Sequence, residues 1–345
     1  SCDETAASVV REKSDGTGEI LSNIVSSQIK EHKEFGGVVP ELAARAHVEK
    51  IEFIIKKALE ESNLHLNNIN GISATAGPGL IVCLTVGLNA GKAIAGSLGK
   101  PFVAVNHLEG HALSPKINSN IKFPYLLLLI SGGHTQFLEV IGVNNYKRLG
   151  TTIDDALGEA FDKTAKILGI EFPGGPKIEE WAKKGDENYF KLPKPILKKG
   201  GCNLSFAGLK TAILRTSKEL KNQKEKYHLA ASFQKTINEI LYEKTKVAME
   251  EFLKNKKNIQ KTFVIAGGVA ANLRIRENLT KLAKEKNFTP IFPPKNLCSD
   301  NAAMIAWAGI ERYKINLVDN LDFPSKARWP LDLKAPFLKG PGLKI

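Results

Sequence analysis

Cysteine is scarce. Only Cys2, Cys83, Cys202 and Cys298 occur in a chain of 345 residues, and no two of them form a C-x-x-C pair. This excludes a disulfide-stapled scaffold and a zinc ribbon, and makes a reducing compartment such as the cytoplasm the expected setting. Long apolar runs are also missing. The most apolar stretch, Leu80 to Leu98, is broken by Thr85, Asn89, Lys92 and several glycines. It falls short of the roughly 20 continuous apolar residues of a membrane span, so no membrane association is expected. The sequence opens at Ser1, and a targeting segment removed ahead of it would change the cytoplasmic expectation to a mitochondrial one.

Arginine is the third shortage, with 8 of the 49 basic residues. Lysine makes up the rest, and the chain carries a formal net charge of +13. Between Lys191 and Lys261 there are 17 basic residues against 6 acidic ones, so nearly the whole excess lies in one stretch. Lysines spread evenly would mean only a soluble surface. A concentrated basic section favours a polyanionic partner, nucleic acid above all. The composition is 43% hydrophobic and 25% charged, which supplies one or two packed cores and excludes a disordered or fibrous chain.

Periodicity points to alternating strands and helices. From Pro40 to Asn63, apolar residues recur at three- and four-residue steps, and Pro40 suits a first helical turn. A short apolar run at Ile69 to Ala74 precedes Gly77-Pro78-Gly79, a second helical pattern reaching Gly99, and a strand pattern from Pro101 to Val105. Tyr125 to Ile130 and Thr135 to Ile141 read as two strands joined by a glycine turn. Helix follows at Asp154 to Leu168. Thr262 to Ala266 reads as a buried strand, with helices at Ala271 to Lys284 and Ala302 to Tyr313. This alternation predicts an α/β protein with partly parallel sheets, whose ligands sit at the carboxyl ends of strands.

His107 and His111 in Asn106-His107-Leu108-Glu109-Gly110-His111 stand four apart, so a helix there projects both imidazoles from one face. That is a two-ligand metal grip, although such a pair is also found without a metal. In zinc proteases a glutamate directly follows the first histidine. Here Glu109 points away from the pair, and no general base is left. Asp300, just before a helix, reads either as a third, carboxylate ligand or as a simple N-cap. Three glycine turns offer backbone N–H groups to an anion: Ser131-Gly132-Gly133, Pro173-Gly174-Gly175-Pro176 and Gly267-Gly268. Asp154 and Asp155 suit a solvated first helical turn, whereas Asp162 faces the second glycine turn.

Together these segments resemble the TsaD family of tRNA threonylcarbamoyladenosine transferases, formerly described as O-sialoglycoprotein endopeptidases. The resemblance spans almost the whole chain. It rests on SCDETA (1–6), GGVVPELAARAH (36–47), GPGL (77–80), NHLEGH (106–111) and LISGGHT (129–135). Further matches are GEAFDKTAK (158–166), PGGP (173–176), SFAGLKT (205–211), GGVAAN (267–272) and CSDN (298–301). SFAGLKT and the ending Arg328-Trp329-Pro330-Leu331 are similar to the bacterial and organellar branch.

The resemblance implies a two-lobed actin/Hsp70/sugar-kinase-like (ASKHA) fold around a nucleotide cleft. Residues 1–115 with 302–330 would form one lobe, 116–301 the other, and 331–345 a tail. It implies a metal-dependent acyltransferase acting at the exocyclic amine of the adenosine 3′ of the anticodon, in tRNAs reading ANN codons. The donor is threonylcarbamoyl-AMP and AMP is released. His107, His111 and Asp300 would bind one divalent ion, Fe2+ or Zn2+. Leu129, Ile130, Ser131, Gly132, Gly133, Asp162, Gly175, Glu179 and Asn272 would hold the adenylate, with Glu179 standing where some relatives have aspartate. No separate side-chain acid or base is implied. The implied partners are tRNA with a non-catalytic TsaB-like paralogue and a small TsaE-like ATPase, or a second copy of the chain in the organellar case. In relatives a strand precedes SCDET, and here it is expected to be absent or truncated. A metalloprotease lacks its general base, and an ASKHA small-molecule kinase leaves the histidine pair without a task.

Overall fold

The computed structural model describes residues 1–336; the end of the expected tail, from 337 on, lies outside the described residues. The strands are β1 (Glu4–Glu12), β2 (Gly18–Ser27), β3 (Ile72–Gly77), β4 (Phe102–Asn106), β5 (Tyr125–Ile130), β6 (Thr135–Gly142), β7 (Asn145–Thr151), β8 (Thr262–Ala266) and β9 (Thr289–Ile291). The helices are α1 (Ile29–His32), α2 (Pro40–Ser62), α3 (Ile81–Leu98), α4 (His107–Leu113), α5 (Leu157–Leu168), α6 (Gly174–Ala182), α7 (Ala207–Ser217), α8 (Gln223–Leu253), α9 (Leu273–Glu285) and α10 (Ala302–Lys314).

Packing divides the chain into two units. One collects Ser1–Ile121, Gly142–Asn145 and Pro293–Leu333; the other collects Lys122–Ile141, Tyr146–Phe292 and the last described residues, 334–336. The chain returns to the first unit at Pro293, earlier than the sequence suggests. The reason is local: the loop before α10 delivers Asp300 onto α4 of the same unit.

In the first unit, β1 and β2 form an antiparallel hairpin, and β3 and β4 form a parallel pair. The sequence offers no strand signal at β1, because its small and polar residues alternate only weakly between buried and half-buried. The two pairs share no hydrogen bonds. Between them a cavity of about 970 Å³ is lined by residues of β1, α2, β3, α3 and α10. The helix α2 starts at Pro40, whose fixed φ suits a first turn, and ends where Asn63 turns left-handed (φ 54°). Its buried Ala43, Ala46, Ile54 and Ala58 pack on the β1–β2 hairpin.

The helix α3 has 18 residues with a mean hydropathy of 1.5, long and apolar enough by length and composition to cross a membrane. It packs here on β3 and α2. Gly91 permits this approach, since a Cβ there would stand 2.9 Å from that of Ala74.

The second unit is built on a five-stranded sheet ordered β7-β6-β5-β8-β9. Within it β5, β8 and β9 run parallel, and β6 is antiparallel to β5. All of β5 and β8 is buried, the continuous apolar pattern of central strands covered on both faces. The Lys-rich section folds largely into α7 and the 31-residue α8. Of its 17 basic residues 11 are exposed, so a basic surface is available to solvent.

Candidate functional site

The first unit places the two histidines at the start of a short helix. Asn106 caps α4 by accepting the Leu108 N–H at 2.9 Å, and its own amide donates to the Trp329 carbonyl at 2.8 Å. That cap fixes the β4–α4 corner. The His107 and His111 rings then stand 4.8 Å apart at an interplanar angle of 83°. Both Nε2 atoms face the same Asp300 Oδ1, at 3.4 Å and 3.1 Å respectively. His107 Nδ1 is bonded to Ser1 Oγ at 3.1 Å. His111 is fully buried and its Nδ1 has no partner.

Asp300 is not an N-cap. Asn301 performs that task, accepting the Met304 N–H at 3.0 Å, which frees the neighbouring carboxylate for the histidines. Burial opposes ionisation of Asp300, but the adjacent His107 and then His111 outweigh it and hold the carboxyl well below its ordinary value. Burial pushes the His111 imidazole down, opposed by its hydrogen bond to Asp300. Both groups therefore favour the proton-free forms that bind a cation. Burial, followed by the carboxylates of Asp3 and Asp300, pushes Glu4 up to about 8.

Two imidazole nitrogens and one carboxylate oxygen within 4.8 Å of one another form a donor set that fits a divalent transition ion with further positions open. Glu109 takes no part in it. Its carboxylate is buried on the other side of α4 against Arg312, where it cannot serve as the base of a protease.

In the second unit two of the glycine turns lie at the carboxyl ends of the neighbouring strands β5 and β8, and the third, Pro173-Gly174-Gly175-Pro176, opens α6. The turn after β5 is closed by the Ser131 N–H donating to the His134 carbonyl at 2.8 Å. Gly267, after β8, has φ 97°, and a Cβ there would strike the Ile130 carbonyl oxygen. Leu129 and Ile130 are fully buried, so neither can offer a side chain to a ligand. Gly132, Gly133 and Gly175 have open space where a Cβ would stand.

Asp162 accepts the Gly174 N–H at 2.8 Å, tying the PGGP turn to α5. Glu179 accepts the Leu273 N–H at 2.8 Å, and Asn272 accepts the Ile275 N–H at 3.0 Å. Both acceptors thus sit at the start of α9, and the Asn272 amide also donates to Gln234 at 2.9 Å.

Asp154 and Asp155 are buried rather than solvated. Asp154 accepts the Phe206 N–H at 2.7 Å, the Ala207 N–H at 3.3 Å and the Ser205 hydroxyl. Asp155 pairs with Lys163 at 2.9 Å and Lys210 at 3.5 Å. The Phe206 and Lys210 partners lie about fifty residues downstream, beyond the reach of any local pattern.

A mixed sheet with glycine turns at its carboxyl ends, together with the strand pairs of the first unit, defines an α/β protein of the actin/Hsp70/sugar-kinase type. Two solved structures share this fold at 13% identity. Full-length HypF in its phosphate- and nucleotide-bound form matches with a TM-score of 0.55, over 90% of this chain and 51% of that one. HypF of T. kodakarensis matches with a TM-score of 0.54, over 78% of this chain and 43% of that one.

The chain belongs to the TsaD family, tRNA N6-adenosine threonylcarbamoyltransferase, whose sequence profile matches residues 19–307. A Pelagibacter ubique tRNA N6-adenosine threonylcarbamoyltransferase is 67% identical over 345 residues, covering 100% of this chain and 97% of the relative. The Rhodospirillum rubrum protein of the same name is 50% identical over 347 residues, covering 99% and 96%.

Proposed function

We propose that this chain transfers the threonylcarbamoyl group of threonylcarbamoyl-AMP to the exocyclic amine of the adenosine 3′ of the anticodon, in tRNAs reading ANN codons. Modification of tRNA adenosine at N6 follows from the family. The donor, the position and the codon set are our reading. The observation that carries it is the convergence of His107, His111 and Asp300 in a chain of this family.

The attacking amine forms a bond to the carbamoyl carbon, the bond from that carbon to the phosphate oxygen breaks, AMP leaves and the amine proton passes to solvent. Adenylation has already made the leaving group stable, so the protein has to position the reactants and disperse charge on the carbonyl oxygen. His107, His111 and Asp300 would hold one divalent ion, iron or zinc, which supplies Lewis acidity toward the acyl group. The open main chain at Gly132, Gly133 and Gly175 suits a phosphate and an adenine, approached without side-chain hindrance. Ser131, Asp162, Glu179 and Asn272 would complete that pocket, Asp162 by ordering the Gly174 N–H and the last two by fixing the start of α9.

The exposed lysines between residues 191 and 261 would contact tRNA phosphates, which position a nucleic acid without reading its sequence. Selection of one loop adenosine would fall to accessory proteins: a non-catalytic TsaB-like paralogue and a small TsaE-like ATPase, or a second copy of this chain. A cytoplasmic setting fits the bacterial relatives.

The test is a reconstitution. Purified protein is mixed with threonylcarbamoyl-AMP and unmodified ANN-decoding tRNA, with and without the accessory proteins, and the nucleosides are analysed. Threonylcarbamoyladenosine forming only when this chain is present supports the proposal; its absence from every mixture overturns it.

A further inference from the structure

The motif NHLEGH contains more than two ligands. The helix α4 spans only seven residues, too few to hold its orientation without packing. Glu109 lies two residues from each histidine, about 200° around the helix from both. It is 1% exposed. Its Oε2 accepts from Arg312 Nη1 at 2.9 Å, and its Oε1 accepts the Asn144 N–H at 2.8 Å. The same Nη1 lies 3.3 Å from Asn144 Oδ1. With both oxygens engaged, the carboxylate has one orientation, and so does the helix that carries it.

Arg312 belongs to α10, the helix that begins two residues after Asp300. The same two segments therefore meet twice, through Asp300 with the histidines and through Arg312 with Glu109. Between these meetings side chains of α10 rest on the bare backbone of α4: a Cβ on Gly110 would stand 2.8 Å from Ile305 Cδ1 and 3.3 Å from Met304 Cγ. An apolar pair could fill the same space. Only a directional pair fixes the rotation of α4 about its own axis, and that rotation aims both imidazoles.

We infer that Glu109 and Arg312, with Asn144 closing the pair, are positioning residues that orient His107 and His111 toward Asp300. The inference rests on the metal reading above. It places the ion's geometry partly under the control of a buried pair on the opposite face of the ligand helix.

The experiment titrates the metal-free protein with Co2+ alone, following the visible d–d bands, with circular dichroism to confirm folding. In Glu109→Gln, Co2+ affinity should fall severalfold, less than the roughly 10- to 100-fold lost when a group bonded directly to a ligand is removed, and the d–d bands should shift. Lys163→Gln, which breaks a partly buried ion pair in the other unit, should leave both unchanged. If Glu109→Gln does not fold, the double variant Glu109→Gln, Arg312→Gln leaves no lone buried charge and carries the same expectation. Folded variants with parental affinity and spectrum overturn the inference. A parental protein that gives no Co2+ spectrum overturns the metal reading instead.

Discussion

Gly158 of α5 lies against Gly132 of the turn that ends β5: a Cβ on Gly158 would stand 2.7 Å from the Gly132 Cα and 2.8 Å from the Ser131 carbonyl oxygen. Main chain rests on main chain, and the Gly158 N–H donates to that carbonyl at 3.2 Å.

The substitution Gly158→Ala should therefore move the turn rather than a side chain. Overpacking of this kind costs about 1–3 kcal/mol. Calorimetric titration with AMP should show at least a tenfold loss of affinity, with a lowered melting temperature. Unchanged AMP affinity in the folded variant would remove the turn from the proposed nucleotide site.

Asp154→Ala removes the acceptor of two main-chain N–H groups and the Ser205 hydroxyl. Leaving buried donors unmet costs about 1–3 kcal/mol each. The melting temperature should drop by several degrees, and amide exchange should accelerate first at residues 205–210. Uniform acceleration across the second unit would contradict a local role.

Retention of a divalent ion should depend on Asp300 and on pH. Asp300→Asn replaces a charged donor with a neutral one, so metal analysis after dialysis should find most of the bound zinc gone. Because His111 lies below its ordinary 6.5 and Asp300 well below 3.8, protons compete for these donors only in more acidic solution. Zinc should therefore stay bound at pH 6.5 and be lost only as the solution is made markedly more acidic.

Glu4 supplies a pH signature in the metal-free protein. Its pKa is raised from 4.5 to about 8, so the folded state favours the protonated acid. The stability from this proton is fully present below pH 4.5 and is lost as pH rises through about 8. Melting temperatures between pH 5 and 9 should fall more steeply for the parental chain than for Glu4→Gln. Parallel curves would show that Glu4 does not titrate there.

Binding of tRNA should weaken with salt through the basic section. Replacing Lys218, Lys221 and Lys224, all exposed, with Ala should lower the slope of log affinity against log salt by roughly 0.7–0.9 for each phosphate that is no longer neutralised. An unchanged slope would show that other lysines face the tRNA phosphates.

Strong local signals announced much of the fold. Pro40 opens α2, the apolar runs at 125–130 and 262–266 are β5 and β8, and the four-residue spacing of His107 and His111 falls on a helix. The β1–β2 hairpin left a weaker mark, because its apolar residues, among them Val9 and Ile24, are interspersed with serine, threonine and glutamate and few of its positions are fully buried. The sixteen buried residues of α8 include polar ones such as Gln234, Asn238, Lys244 and Thr245, which blur its apolar period.

From the sequence alone came the family, the alternation of strands and helices, and the residue types able to bind a cation or an adenylate. Each of these is written in neighbouring positions or in spacings of two to four residues. Only the tertiary structure decided that Asp300 faces the histidines while Asn301 caps the helix, that Asp154 orders the loop at 205–207, and that Glu109 meets Arg312. Apart from the local cap, those choices join segments about 50 to 200 residues apart, where the outcome depends on which buried polar groups find partners once the chain has closed on itself.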